Sequence, residues 1–466
     1  MLSRRELILL GLVFVLTLPA VTSRLYASDE IEYFAWLRSL TFDRDADFQN
    51  EYQHFYDADV SRSPDFHETF LERTTESGRR INYTTPGSAL LWSPFYAIGH
   101  VVALVGGAPV DGFSQPYISA VTYGSACYGF LAVLFSALAA RRVVGNGVGA
   151  SLCIAVGSPL LFYTYLAPGF GHATSAFAVS LFVWTWIRVR ERWSLTGAVA
   201  LGLTGGLMAL VREQDVLLAL GPALDFLLDG FRPRVRHPAP AVRWPVLVAG
   251  AGAVTFGLVY SVQLMAYTAV NGHPGPTETA ARKMTWTSPH GLQVLFSPEY
   301  GLFAWTPLAL VAVAGLAWLA WRGAGGLDSA DRVSNRDAKR IGLLALLMVL
   351  LQAYTSGSVE SWTVSGSFGQ RRFIAITPLL VIGLAAWFSH ARNAWTRRGL
   401  AAIVLLCIWW NLGLMAQFGL NRMDRKKLTL QENARVTFID LPREAPSIAW
   451  RYLFDRKSLY KLPPQK

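Results

Sequence analysis

The sequence contains little charge and little cysteine. Only 16% of its 466 residues are Asp, Glu, Lys or Arg, whereas soluble globular chains carry about 25%. The three cysteines, Cys127, Cys153 and Cys407, lie inside apolar runs without the spacing of a metal site or a redox motif. This composition argues against a soluble enzyme, a disulfide-rich secreted domain and a disordered chain.

The chain is rich in long apolar runs instead. Hydrophobic residues make up 52% of the sequence, and the mean hydropathy is +0.32. Because a helix that crosses a bilayer needs about 20 apolar residues, the chain accommodates many spans. The net charge of +11 would suggest nucleic acid in a soluble protein, but in a membrane protein Lys and Arg indicate topology. We therefore predict an all-α, polytopic transmembrane bundle with no nucleic-acid partner.

The positive-inside rule arranges the apolar runs into about 11 spans. The first run, residues 7–21, follows Arg4 and Arg5, which we place on the inner face. A cleaved signal peptide is the alternative interpretation of this run. The later inner ends carry these basic residues: Arg141 and Arg142; Arg188, Arg190 and Arg192; Arg232, Arg234, Arg236 and Arg243; Arg322, Arg332, Arg336, Lys339 and Arg340; Arg392, Arg397 and Arg398.

The apolar run at residues 88–107 has two interpretations, as a span or as an interfacial helix. It contains Pro94 and His100, and counting it as a span would put Arg141 and Arg142 outside. An interfacial or re-entrant helix on the outer face removes this conflict. The third predicted span covers residues 148–166.

We predict two regions on this basis. Residues 1–420 form the transmembrane domain, in which residues 24–115 are a large first outer loop with interfacial helices. Residues 421–466 form a tail with eleven Lys or Arg, which we place on the outer face. The tail lies against anionic lipid, packs on the outer loops or is solvated. The aromatic residues among its basic residues fit an interfacial segment.

Acidic residues concentrate in the first outer loop: 13 of the 31 lie between residues 24 and 87. Most are expected to be a solvated face. Asp29 and Glu30 differ because they directly follow the first span, where the loop meets the membrane surface. Carboxylates held there can act as a general base or bind a divalent cation such as Mg²⁺ or Mn²⁺.

The other outer segments supply cations that suit a phosphate group. The arginine fork binds two phosphate oxygens at once, although each such residue can equally be a helix-end anchor that reaches the lipid head groups. A histidine at the mouth of the fourth span either lines the same cavity or is a satisfied interfacial residue. The candidates for substrate or phosphate binding are His172, Arg212, Arg282, Lys283, His290, Arg371 and Arg372.

Several stretches together resemble a known family. One span leads to an acidic outer loop that begins with a carboxylate pair, and a Pro-bearing aromatic segment precedes the next span. The stretches are Ser28-Asp29-Glu30-Ile31-Glu32-Tyr33, Asn82-Tyr83-Thr84-Thr85-Pro86-Gly87, Leu91-Trp92-Ser93-Pro94-Phe95-Tyr96, Gly206-Leu207-Met208-Ala209-Leu210-Val211-Arg212, Leu295-Phe296-Ser297-Pro298-Glu299-Tyr300-Gly301-Leu302 and Phe368-Gly369-Gln370-Arg371-Arg372-Phe373. Over about residues 5–420 the chain resembles the GT-C superfamily of integral membrane glycosyltransferases, which includes protein O-mannosyltransferases and the lipid A aminoarabinose transferase.

The resemblance implies a hexosyl- or pentosyltransferase of the cell (inner) membrane. Such enzymes use a polyprenyl-phosphate-linked sugar and work on the periplasmic or extracytoplasmic face, with a lipid, glycan or protein hydroxyl as acceptor. Carried over, Asp29 is the catalytic carboxylate and Glu30 is the alternate or assisting group. Family members often have two adjacent prolines where this chain has Thr85-Pro86-Gly87.

Two other functions remain open from the sequence. A carrier or flippase for a lipid-linked or anionic substrate usually has ionisable residues near mid-membrane or repeated halves, and the sequence shows no such repeat. A non-catalytic membrane partner of a glycan assembly complex is the third possibility.

Overall fold

The structure is a computed structural model that describes residues 2–230, 243–324, 332–364, 366–391 and 393–459. Within these ranges the regular structure is helical, apart from isolated β-bridge residues such as the Thr74–Arg80 pair. The predicted all-α class is confirmed. Of the basic inner-face residues, Arg232, Arg234, Arg236 and Arg392 lie outside the described ranges.

Sixteen main helices are used below. They are α1 (Arg4–Thr17), α2 (Ser28–Arg38), α3 (Gln49–Asp57), α4 (Gly87–Gly106), α5 (Gln115–Val144), α6 (Val148–Val156), α7 (Leu160–Tyr165), α8 (His172–Val189), α9 (Leu195–Val211), α10 (Leu220–Gly230), α11 (Arg243–Asn271), α12 (Pro307–Arg322), α13 (Asn335–Ser358), α14 (Thr377–His390), α15 (Ala394–Gly419) and α16 (Leu441–Phe454). Shorter helical segments are Leu18–Ala20, Ser39–Asp43, Pro64–Phe66, His67–Glu72, Glu213–Ala219, Glu278–Arg282, Gln293–Phe296, Leu302–Trp305, Arg371–Ile376, Leu430–Arg435, Val436–Asp440 and Arg456–Leu459.

Many of these helices suit a bilayer. In the described part of the chain, six helical segments are long and apolar enough to cross a membrane: Gly87–Gly106, Gln115–Val144, Trp244–Asn271, Asn335–Ser358, Arg371–His390 and Ala394–Gly419. Helices α9 and α12 are apolar but shorter. The chain is thus a multi-pass membrane protein, and the number of about 11 spans stays a prediction.

The chain forms two compact units. The tail unit consists of residues 1–21, 136–166 and 286–466, and the loop unit consists of residues 22–135 and 167–285. Each is described by itself below.

In the tail unit, α12 and α14 pack against each other through glycine. A Cβ atom added at Gly315 would lie 2.0 Å from the Gly383 carbonyl oxygen, and one added at Gly383 would lie 2.0 Å from the Ala312 carbonyl oxygen. Small residues let helix backbones approach closely inside a membrane, where van der Waals packing replaces the hydrophobic effect. Both positions therefore require glycine.

The structure divides the third predicted span into two helices. Helix α6 ends at Val156 and α7 begins at Leu160. Pro159 causes the break, because proline lacks an N–H group and its ring clashes with the preceding turn. The side-chain amide of Asn411 donates to the carbonyl oxygens of Val156 and Ser158, at 3.1 and 3.3 Å, and so satisfies the broken turn.

The contacts of α1 in the tail unit hold both of its ends. Glu6 at its start forms an ion pair of 2.6 Å with Arg141, and Thr17 at its end lies 2.8 Å from the Tyr165 hydroxyl. The start of α1 and the end of α5 therefore lie together. The interfacial placement of residues 88–107 stays a prediction, and α4 is itself long and apolar enough to cross a membrane.

In the loop unit, the acidic first outer loop folds around an aromatic core. The buried members include Phe34, Trp36, Phe48, Tyr52, Phe55, Trp92 and Tyr96. Glu51 is buried beneath them and pairs with Arg38 at 3.0 Å. Burial raises the pKa of Glu51 to about 7. Nine of the 13 acidic residues of this loop are exposed, as expected, whereas Glu51 is buried.

Helix α4 lies antiparallel to the first half of α5. The Tyr128 hydroxyl donates to the Leu91 carbonyl oxygen at 2.7 Å, and His100 Nδ1 lies 2.7 Å from the Tyr117 hydroxyl. The start of α4 contacts the start of α8, where the Ser88 and Thr174 hydroxyls are 2.8 Å apart. This arrangement places the start of α4 beside the candidate site.

Replacing Gly383 by alanine should destabilise the protein. The added methyl group would overlap the α12 backbone, and such overpacking costs about 1–3 kcal/mol. Thermal unfolding of the purified protein in detergent, followed by tryptophan fluorescence, measures the effect. Gly399→Ala is the matched control, because a Cβ there meets nothing within 4 Å. Equal melting temperatures for the two variants would contradict the packing described.

Candidate active site

The carboxyl group of Glu30 is fixed by backbone N–H groups. One oxygen accepts from the Tyr26 and Ala27 N–H groups at 2.8 and 3.2 Å, and the other accepts from the Gly169 N–H at 3.1 Å. The side chain is fully buried, and this burial raises the pKa of Glu30 to about 8 although the three N–H donors lower it. Glu30 thus joins the start of α2 to the loop before α8.

Asp29 lies in the same first turn of α2 but is only half-buried. Neighbouring residues of a helix point about 100° apart, so the two carboxyl groups face different surroundings. A carboxylate in the first helical turn is also stabilised by the helix dipole. Of the predicted catalytic pair, Asp29 is the member that a substrate can reach.

The loop before α8 approaches α2 and α4 too closely for any side chain. A Cβ at Gly169 would lie 2.8 Å from Glu30 Oε1, and a Cβ at Gly171 would lie 2.7 Å from both Tyr33 Cζ and Ser88 Oγ. Glycine at these two positions allows the backbone to pass between the helices. The loop ends at His172, which is the first residue of α8.

Arg212 and His172 are brought together. Arg212 follows the last residue of α9, and its Nη1 lies 3.1 Å from His172 Nδ1. Because a guanidinium only donates, His172 Nδ1 is the acceptor and carries no proton. The Thr85 hydroxyl donates to the Val211 carbonyl oxygen at 2.7 Å, so the Thr85-Pro86-Gly87 stretch supports this end of α9.

Asp215 is a buried carboxyl group that the sequence-based site omitted. The Ser175 hydroxyl donates to its Oδ2 at 2.7 Å, while Oδ1 is buried without a hydrogen-bond partner. Burial raises its pKa, and the nearby charge of Arg212 lowers it. The only sequence signal was its position three residues after Arg212, in the same outer turn.

The neighbouring basic residues of the loop unit differ in position. Lys283 Nζ lies 4.3 Å from the ring centre of Tyr83, whose N–H donates to the buried Glu32 carboxylate at 2.6 Å. Arg282 instead pairs with Glu278 at 2.8 Å, and both side chains are exposed. Lys283 is therefore connected to α2, whereas Arg282 lies in a surface ion pair.

The other three predicted residues belong to the tail unit. Arg372 is buried and donates to the Ser361 carbonyl oxygen at 3.0 Å and to the Ser361 hydroxyl at 3.2 Å. Arg371 precedes it at the start of a short helical segment. The His290 ring stacks on Trp362 with centres 5.3 Å apart. These residues therefore lie around one outer loop of the tail unit.

A metal site is not built in the described ranges, where no group of three or more His, Cys, Asp or Glu is placed to hold an ion. Both oxygens of Glu30 already accept backbone hydrogen bonds, so the Asp29–Glu30 pair does not fit a divalent cation in this arrangement. The expected divalent cation stays a prediction.

Glu30→Gln should lower the stability of the protein. An amide presents a donor where the carboxyl group accepts, so at least one buried N–H group loses its partner, which costs about 1–3 kcal/mol. The melting temperature in detergent measures this loss. Glu68→Gln is the control, because Glu68 forms an exposed ion pair with Arg73 and its removal should leave the melting temperature nearly unchanged. An unchanged melting temperature for Glu30→Gln would contradict the anchoring role.

Comparison with known proteins gives a distant structural likeness. No protein-family model matches the chain, and no curated protein matches it. The crystal structure of ArnT from Cupriavidus metallidurans bound to undecaprenyl phosphate is similar, with 14% identity, a TM-score of 0.48, and coverage of 98% of this chain and 79% of that chain. The apo structure of the same protein gives 13% identity, a TM-score of 0.44, and coverage of 97% and 77%. ArnT belongs to the superfamily that the sequence stretches resemble. At this identity and TM-score, the likeness assigns neither a reaction nor a substrate to this chain.

Proposed function

We propose that the chain is a membrane glycosyltransferase. It moves a sugar from a polyprenyl-phosphate-linked donor to a hydroxyl group of a lipid, glycan or protein acceptor, on the periplasmic or extracytoplasmic face of the cell (inner) membrane. One observation carries the proposal: the loop before α8 contacts both candidate groups. The Gly169 N–H donates to Glu30, which is next to Asp29, and His172 contacts Arg212. A candidate base and a candidate phosphate-binding group therefore lie in one compact unit.

Asp29 acts as the general base in this reaction. Its carboxylate takes the proton of the acceptor hydroxyl as the oxygen attacks the anomeric carbon of the donor sugar. The new bond joins the acceptor oxygen to that carbon, while the bond from the carbon to the phosphate oxygen breaks. The products are the glycosylated acceptor and polyprenyl phosphate, and the proton is on Asp29. Glu30 positions α2 and does not react.

Arg212 stabilises the departing phosphate. Negative charge develops on the leaving oxygen, and a preorganised guanidinium lowers the energy of that charge. His172 accepts one N–H of Arg212 and so orients the fork. Burial raises the pKa of the nearby Asp215 carboxyl group, while the charge of Arg212 and the Ser175 hydroxyl lower it. Lys283 and the tail-unit residues His290, Arg371 and Arg372 are further candidates for binding the donor.

Asp29→Asn should abolish sugar transfer without unfolding the protein. Loss of a general base lowers the rate by about 100-fold or more. The measurement is the initial rate of polyprenyl phosphate release from a labelled polyprenyl-phosphate sugar, together with the melting temperature. Asp59→Asn is the control, because Asp59 is an exposed residue of the same loop in a left-handed conformation that asparagine tolerates. Full activity of Asp29→Asn would overturn its assignment.

The arginine fork itself can be tested at Arg212. Arg212→Gln removes the charge and should lower the rate about 100-fold, whereas Arg212→Lys keeps the charge without the fork and should lower it about tenfold. Arg282→Gln is the matched control, since its exposed ion pair contributes little. If Arg212→Gln and Arg282→Gln show the same rate, Arg212 does not bind the phosphate. Movement of intact donor across vesicles, without release of polyprenyl phosphate, would favour a carrier.

A further inference from the structure

An apolar cavity lies in the tail unit, between the end of α15 and the C-terminal helix α16. Its volume is about 300 Å³. Side chains of both helices line it, among them Leu412, Ala416, Ala445, Ile448, Ala449 and Tyr452. This volume is at the lower limit of the range found for small-molecule pockets. The lining is aliphatic and aromatic, so the cavity suits a hydrocarbon chain.

Helix α16 is held over the cavity by buried polar contacts. The Gln417 side chain on α15 donates to the Asn433 carbonyl oxygen at 3.2 Å and to the Thr437 hydroxyl at 2.9 Å. Asn433 donates back to Gln417 at 2.9 Å. At the other end, the Tyr452 hydroxyl donates to the Ala20 carbonyl oxygen at 2.7 Å. This part of the tail is thus a docked element, and the cavity beneath it is part of the fold.

The outer side of α16 also has apolar residues. Trp450, Leu453 and Phe454 are 65%, 48% and 68% exposed, and the Trp450 and Phe454 rings are 4.3 Å apart. Amphipathic helices with exposed aromatic and aliphatic residues lie at the boundary between lipid head groups and acyl chains. A cavity beneath such a helix is open to lipid chains.

Two arginines are close in the chain to the lining residues Tyr452 and Leu459. Arg456 stacks on the ring of the lining residue Tyr452, 4.4 Å from its centre, and donates to the carbonyl oxygens of Pro19, Val21 and Tyr452. Arg451 donates to the hydroxyl and carbonyl oxygens of Ser458 at 2.9 Å. In the described part of the chain, these hydrogen bonds all end on neutral oxygens. Both guanidinium charges are therefore left to attract an anion.

We propose that this cavity binds one acyl chain of an anionic phospholipid, whose phosphate group lies against Arg451 and Arg456. The cavity selects the hydrocarbon chain, and the two arginines select the negative head group. The proposal is independent of the proposed function, because it involves neither Asp29 nor Arg212.

Native mass spectrometry of the full chain tests this site with phosphatidylglycerol and phosphatidylcholine of identical acyl chains. We expect the wild type to retain phosphatidylglycerol preferentially. Arg451→Gln and Arg456→Gln should each weaken its binding about fivefold. Ala449→Phe should abolish binding by filling the cavity. Ala402→Phe, on the exposed face of α15, should bind as the wild type does.

Photo-crosslinking supplies a second measurement that does not depend on a variant. Phosphatidylglycerol with a photoactivatable acyl chain should label peptides of α15 and α16 in the wild-type protein. Labelling elsewhere, equal retention of the two lipids, or unchanged binding by Ala449→Phe would each overturn the proposal. If Ala449→Phe fails to fold, the crosslinked peptides decide the outcome.

Discussion

Three backbone N–H groups converge on the carboxyl group of Glu30, and the geometry of the candidate site depends on them. Two come from the segment before α2, and the third comes from Gly169, which is 139 residues further along the chain. Since Gly169 leads directly to His172, this one buried carboxyl group sets the position of the Arg212 contact as well. A buried acceptor that binds several donors is held rigidly, because any movement of the acceptor would leave buried donors without a hydrogen bond. The partly exposed Asp29 is thereby held in place by its buried neighbour.

The sequence predicts the fold class and most of the residues of the loop-unit site. Asp29, Arg212 and His172 were all placed at the outer ends of apolar runs, because charged groups in a membrane protein collect where helices end. The sequence does not predict which carboxylate of the Asp29–Glu30 pair is buried, because the burial of Glu30 depends on the distant Gly169 N–H group. For the same reason, the sequence does not predict Asp215 as a site residue, because its hydrogen-bond partner Ser175 is 40 residues away in the chain. Adjacent Arg282 and Lys283 look equivalent in the sequence, yet only Lys283 reaches an aromatic ring.

Charge patterns predict the exposure of most acidic residues in the first outer loop, where nine of the 13 are exposed. Glu30, Glu32 and Glu51 are the buried exceptions. Aromatic residues between the acids form a core, and backbone N–H groups or Arg38 compensate the buried carboxylates. The tail, for which the sequence leaves packed, lipid-bound and solvated placements open, is docked through Gln417 and Asn433. In both regions, a few hydrogen bonds between residues far apart in the sequence determine which side chains are buried, and composition alone does not predict them.

The break at Pro159 has a consequence for the order in which the protein is assembled. Helices α6 and α7 have nine and six residues, so neither is long enough to enter a bilayer alone. They must be inserted together, with the carbonyl oxygens of the broken turn already surrounded by lipid or protein. Their partner Asn411 is 255 residues beyond Val156 and is synthesised much later. Until α15 arrives, those oxygens need a temporary donor, such as water or an assisting protein of the insertion machinery.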